Sequence, residues 1–281
     1  MTHLRGLLLR NPLFSNLSFL SYTFANIVRV FTRGTLIKSN NVCENCLSLL
    51  NFYYNEMERS WIFMIKAIIF DFDGLILDTE THEYEVLSEL YAEHNCELPL
   101  DVWGKVVGTV SDFHPFTYLE EQAKKKLNRD EFNERQKQLF TERIEQEAAR
   151  PGVVDYLSAA KSLGIKIGLA SSSNYDWVSS HLKRLNLLDR FECIKTSDHV
   201  AEVKPNPALY LEAAKCLGVK PEECIAFEDS ANGALAAKRA GMKCVIVPNE
   251  VTKNLEFCEV EHRLQSMAEM ELKELISFLE Q

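Results

Sequence analysis

The chain has 281 residues, is 46% hydrophobic and 26% charged, and carries a formal net charge of −10. That is ordinary globular composition, with enough length for one large domain or two modest ones. The negative charge argues against broad nucleic-acid binding, so an anionic small substrate needs local help from lysine, backbone amides or a cation.

Residues 1–63 stand apart. They hold six basic and three acidic residues, and no acid precedes Glu44. Asn, Ser and Thr interrupt every apolar run there, which excludes an 18-residue membrane span. Arg10 cuts Leu7-Leu8-Leu9 short of a secretory hydrophobic region. An Arg- and Ser-rich, acid-poor stretch fits an organellar presequence. The preferred reading is translated upstream sequence with Met64 as the start. Met64-Ile65-Lys66 leads straight into the first strand, and Glu58-Arg59-Ser60 is encodable as a ribosome-binding sequence. Cys43 and Cys46 form a CxxC with no second pair at zinc spacing. Cys193, Cys224 and Cys244 lie in apolar runs and read as small buried hydrophobes. No disulfide framework is expected, so a reducing, cytoplasmic setting follows, or an organellar one if residues 1–63 are a presequence.

From residue 64 the elements follow in order. Ala67-Ile68-Ile69-Phe70 predicts a strand over 66–70 buried on both faces, as in a parallel sheet. Asp71, Asp73 and Gly74 come next, where open parallel sheets place their chemistry. The pair points to a nucleophile and a metal site; the competing reading is a solvated turn bent at Gly74. Between Glu80 and Arg150 no strand pattern occurs. Helical spacing recurs instead, at Tyr84, Leu87, Leu90 and Tyr91, then at Phe116, Leu119 and Ala123, then at Phe132, Leu139, Phe140 and Ile144. This predicts a helical cap over 80–150, hinged near Thr79 and Pro151.

Strands are then predicted at 165–170, 192–196, 223–227 and 243–247, alternating with helices at 153–163, 176–186, 207–217 and 231–240. Gly164, Gly218 and Gly241 mark helix ends. The fold class is α/β, a doubly wound parallel sheet, with a core of 64–79 and 151–281. Three more strand ends carry polar groups. Ser171-Ser172-Ser173-Asn174 offers hydroxyls and helix N–H groups to a phosphate, or merely caps a helix. Lys204, set before Pro205, offers a fixed cation, or is a surface lysine. Glu228 and Asp229 bring two more acids, and four carboxylates at adjacent strand ends call for a cation such as Mg²⁺.

In order, spacing and context these pieces resemble the haloacid dehalogenase superfamily over essentially all of 64–250. Phe70-Asp71-Phe72-Asp73-Gly74-Leu75-Ile76-Leu77-Asp78-Thr79-Glu80, followed by a helical insertion, is similar to the branch with β-phosphoglucomutase and phosphoglycolate phosphatase. The presence of Asp73 points to phosphoryl transfer and away from carbon–halogen cleavage. The resemblance implies that Asp71 is the nucleophile and Asp73 the general acid and base. It implies that Ser171, Ser172 and Lys204 hold the phosphoryl group. Mg²⁺ would sit on Asp71, the Asp73 carbonyl and Asp229, with Glu228 binding it directly or through water.

The leading expectation is a monomeric phosphatase of a small phosphorylated metabolite, without nucleic-acid or membrane partners. A phosphosugar mutase is the alternative, but such mutases carry basic residues in a cap loop where this chain has Val107 and Ser111. A non-catalytic regulator on the same fold is the third reading. Thr109, Ser111, Phe113, His114 and Phe116 are expected to face the pocket.

Overall fold

The computed structural model describes residues 65–281 apart from 105–106 and 109–112. The expectations for residues 1–63 and for Thr109 and Ser111 lie outside the described residues. The elements run β1 (Ala67–Phe70), α1 (Thr79–Ala92), α2 (Leu100–Trp103), α3 (Pro115–Ala123) and α4 (Arg129–Ile144). They continue with α5 (Val153–Leu163), β2 (Lys166–Ala170), α6 (Tyr175–Arg184), β3 (Cys193–Lys195) and α7 (Ala208–Leu217). The chain closes with β4 (Cys224–Glu228), α8 (Ala231–Arg239), β5 (Lys243–Ile246), β6 (His262–Arg263) and α9 (Leu272–Leu279).

The described strands form one parallel sheet in the order β3-β2-β1-β4-β5-β6. Every residue of β1 is fully buried, which is why the strand reads as an unbroken apolar run. Period two still sorts its side chains. Ile68 and Phe70 join a cluster with α5, α6 and α9, while Ala67 and Ile69 join one with α7 and α8. Phe70 stacks on Phe227 at 5.1 Å. Burying such a ring contributes about 1.5–3 kcal/mol. On the other face, Ala234, Ala236 and Ala237 let α8 lie close to the sheet. Strand order reverses between β1 and β4, the crevice where open α/β sheets hold ligands.

The helices of the insertion bury their own cluster, built from Val86, Leu87, Leu90, Tyr91, Phe116, Leu119 and Phe132 among others. Arg143 of α4 pairs with Glu85 and Glu89 of α1 at 3.3 and 2.5 Å, exposed contacts of about 0–1 kcal/mol each. The two connections to the sheet lie side by side, since the Arg150 N–H donates to the Ile76 carbonyl at 2.9 Å. Among the described residues no helix is long and apolar enough to cross a membrane.

Two features depart from expectation. β6 is only two residues long, too short to leave a pattern. Cys193 is not a lone thiol but is bonded to Cys216, because α7 packs on β3 and brings the two Cα atoms to 6.2 Å. Cys224 and Cys244 are free and buried, as expected.

Candidate active site

Strand register assembles the site. Phe70 lies level with Leu169 of β2 and Phe227 of β4, so the polar residues that follow all three strands emerge together. Asp71 stays in the sheet's hydrogen bonding, its N–H donating to the Phe227 carbonyl at 3.0 Å. The chain then turns at Gly74, where φ is +76°. A side chain there would be strained and would also run into Asp229 and Asn249. Asp78 ends the turn by capping α1, accepting from the Thr81 N–H at 3.2 Å.

Lys204 is buried, with its ammonium donating to Asp71 Oδ1 and, at 2.7 Å, to Glu228 Oε1. It also lies 5.2 Å from the centre of the Tyr210 ring. Burial works to lower the Lys204 pKa, but Asp71 and Glu228 prevail and hold it above the ordinary lysine value. Glu228 is saturated by protein donors. Its Oε1 also accepts from Tyr210 at 2.6 Å, and its Oε2 accepts from the Ser230 hydroxyl at 3.2 Å. Gly233 makes room for this carboxylate, which a Cβ there would strike.

Asp71, Glu228 and Asp229 present carboxylate oxygens within 4.8 Å of one another, all buried. One ammonium does not neutralise three acids. Burial, reinforced by Glu228 and Asp73 against the pull of Lys204, pushes the Asp71 carboxyl up to about 8. Burial and the charges of Asp71 and Glu228 hold Asp229 well above the ordinary range. Such a set of hard oxygens favours a small divalent cation. The Asp73 side chain is not in this cluster, leaving only its backbone carbonyl for such an ion.

Asp73 instead faces β2. Its Oδ2 accepts from the Ser173 hydroxyl at 2.6 Å and from Ser171 at 3.4 Å, and its Oδ1 accepts from the Trp177 indole N–H at 2.8 Å. Ser172 turns to the insertion and donates to the Gly108 carbonyl at 3.3 Å. Asn174, not Ser173, caps α6.

These groups open onto a cavity of about 520 Å³ lined by Asp71, Asp73, Ser171 and Trp177 on one side and by Glu80, Glu83 and Phe140 on the other. Burial raises the Glu80 carboxyl well above its usual range, and burial together with Asp73 pushes the half-buried Glu83 up to about 7. His114 and Phe116, expected in the pocket, are not among its lining residues. His114 is exposed at the start of α3, and Phe116 is held in the insertion's own cluster, 5.3 Å from Phe132. Phe113 packs at 6.4 Å from Trp103 in the same cluster. Val107 is buried there too.

The profile of the haloacid dehalogenase-like hydrolases matches residues 68–247. The chain belongs to this family. It is 66% identical over 216 residues to a Bacillus subtilis (strain 168) protein named "Putative phosphatase YhcW", covering 77% of this chain and 98% of that one. It is 32% identical over 220 residues to hexitol phosphatase B of Escherichia coli (strain K12), covering 75% of this chain and 97% of that one. Among solved structures, CbbY from Rhodobacter sphaeroides in complex with phosphate superposes with a TM-score of 0.58 at 28% identity, covering 73% of this chain and 96% of that one. Within this hydrolase, Arg150 and Asn249 hold the turn at Gly74, and local sequence pattern does not show them. The Arg150 guanidinium donates to the carbonyls of Gly74, Val247 and Pro248 at 2.5, 2.9 and 2.9 Å, locking the turn to the β5 loop. Asn249 donates to Asp229 Oδ2 at 2.7 Å and to the Gly74 carbonyl at 3.3 Å.

Proposed function

We propose that this hydrolase is a Mg²⁺-dependent phosphatase of a small phosphorylated carbohydrate, working through an aspartyl-phosphate on Asp71. The observation that carries the reading is the convergence of Asp71, Lys204, Glu228 and Asp229 beneath one cavity bordered by Asp73 and Ser171.

Asp71 attacks phosphorus while the ester oxygen leaves, and Asp73 donates a proton to that oxygen to release the alcohol. Asp73, now a carboxylate, takes a proton from water as the water oxygen attacks phosphorus. The bond to Asp71 breaks, giving inorganic phosphate and the free carboxylate. A carboxylate nucleophile divides one hard displacement into two easier ones. Ser171 and Lys204 donate to the phosphoryl oxygens. Asp71, Asp229 and the Asp73 carbonyl would hold Mg²⁺, which when bound neutralises charge on the phosphoryl oxygens and keeps Asp71 ionised. Glu228, satisfied by Lys204, Tyr210 and Ser230, serves this set by orienting Lys204.

The insertion over 80–150 serves as the cap. Glu80 and Glu83 turn two carboxyl groups toward the cavity. Such a wall accepts hydrogen bonds from substrate hydroxyls, and no lysine or arginine among the described lining residues offers a site to a second phosphate. With Val107 buried in the cap, this favours hydrolysis over a mutase, which must hold two phosphates. The named activity of the E. coli relative, hexitol phosphatase B, supports the same substrate class.

The test is phosphate release, with and without Mg²⁺, from hexitol phosphates, phosphoglycolate, nucleotides and β-glucose 1-phosphate. Asp71→Asn is the control. Release by wild type alone is expected. Conversion of β-glucose 1-phosphate to glucose 6-phosphate without release would establish the mutase instead.

A further inference from the structure

We infer that Trp177 is the positioning residue for Asp73, holding the acid's carboxylate in place through its indole N–H. The inference rests on the functional reading above. A carboxylate that can turn about both Cα–Cβ and Cβ–Cγ can swing, and a proton donor misplaced by about 1 Å can lose about 10²-fold in rate. Here each oxygen of Asp73 has its own donor: Trp177 Nε1 lies 2.8 Å from Oδ1, and Ser173 Oγ lies 2.6 Å from Oδ2. Two donors on two oxygens fix the plane of the group. Once the proton has passed to the leaving oxygen, both bonds become charge-assisted, the stronger kind.

The lone-pair count also leaves room for the proton. A carboxylate offers about two acceptor sites per oxygen. Among the described residues, Oδ2 receives both serine hydroxyls and Oδ1 the indole alone. One site on Oδ1 therefore stays open for the proton that goes to the leaving oxygen. When Ser171 turns its hydroxyl to a phosphoryl group, Ser173 and Trp177 still hold one oxygen each.

The ring itself is fixed. Trp177 stands in the first turn of α6, whose Asn174 cap accepts from the Trp177 backbone N–H at 2.9 Å. One face stacks on Phe140 of α4 at 5.9 Å and 24°, and His181 lies 4.2 Å away, edge to face. Phe140 belongs to the insertion, so its packing and the aim of the acid meet at a single ring.

The experiment compares wild type with Trp177→Phe, which keeps a ring against Phe140 and removes the N–H. A site-specific benzothienylalanine at 177 serves as a second variant that preserves the bicyclic shape. Each is assayed with Mg²⁺ on the fastest alkyl monoester of the panel and on 4-nitrophenyl phosphate. An alkyl leaving group needs the proton, whereas nitrophenolate does not. The expected result is a kcat on the alkyl ester lowered about 10- to 100-fold, with KM within about twofold. Single-turnover nitrophenolate release stays within about twofold of wild type, because the first step no longer depends on the acid.

Unchanged alkyl turnover in the benzothienylalanine protein would overturn the inference while leaving the phosphatase reading intact. So would an equal loss on both esters, the mark of a merely structural role. A wild type that releases phosphate from no panel member would overturn the functional reading and this inference with it.

Discussion

Lys204 and Glu228 meet at 2.7 Å with 1% and 0% of their side chains exposed, and the same ammonium also reaches Asp71. Removing one partner from a buried set like this costs about 3–5 kcal/mol, because the charges left behind are neither paired nor hydrated. Lys204→Met is therefore expected to destabilise by about that amount and to lower kcat about 10²–10³-fold. Lys204→Arg keeps the charge but lacks the compact point geometry, and should not restore activity. Denaturant melts and phosphate release measure the two losses separately.

Asp71→Asn should behave oppositely in stability. It removes a carboxyl whose charge is opposed by burial and by Glu228, while Lys204 keeps its bond to Glu228. Turnover disappears, and the metal-free melting temperature is expected to match or exceed wild type above about pH 6, the range in which ionising Asp71 is costly. A folded variant retaining substantial turnover would remove Asp71 from the nucleophile role.

Much of this site is legible from local pattern. Strand ends are written as an apolar run stopping at a polar residue, and the register Phe70–Leu169 and Phe70–Phe227 brings three such stops together. What sequence does not write is a side chain arriving from far along the chain. Asn249 reaches Asp229 across 20 positions, Arg150 reaches Gly74 across 76, and Trp177 reaches Asp73 across 104. Each sits in a segment whose own pattern says only loop or amphipathic helix. The described part of the cavity wall departs from expectation for a related reason. Phe116 satisfies its burial inside the insertion, whereas α1 begins directly after Asp78, so its first turns carry Glu80 and Glu83 to the site.

Gly74→Ala tests the turn that joins both halves of the site. The left-handed backbone alone costs an L-residue about 1–2 kcal/mol, and the added methyl also displaces Asp229 and Asn249. Thermal melts should show a loss of at least that size. Mg²⁺ affinity, read by the shift in melting temperature with added metal, should fall as well.

Asn249→Ala should separate orientation from ligation. The Asn249 amide holds Asp229 Oδ2, while its carbonyl accepts from the N–H groups of Val251 and Thr252 at 3.0 Å. Losing an outer partner of a metal ligand typically costs about 10–100-fold in metal affinity. The expected variant needs that much more Mg²⁺ for half-maximal activity and approaches wild-type kcat at saturation. Asp229→Ala, by contrast, should not recover at any Mg²⁺ concentration.

Metal and pH should act against each other on stability. The carboxyl of Asp71 rises from 3.8 to about 8 and that of Glu83 from 4.5 to about 7, with Glu80 and Asp229 raised in the same direction. Between the unfolded and folded values the native chain holds protons that the unfolded chain has released. Metal-free stability is therefore fully present below about pH 4 for these groups and is lost as pH rises through about 7 to 8. Other carboxylates shift the opposite way, including Glu223 and Glu261, so the decline should be clearest above about pH 6, where those are already ionised. Mg²⁺ competes with the same protons and binds best where they have left. At ten times its Kd it should stabilise by about 1.4 kcal/mol, or about 3–6 °C for a chain of this size. The measurement is melting temperature against pH with EDTA and with Mg²⁺. The expected curves lie close together at about pH 6 and separate toward pH 8.5, and in Asp229→Ala the separation should disappear.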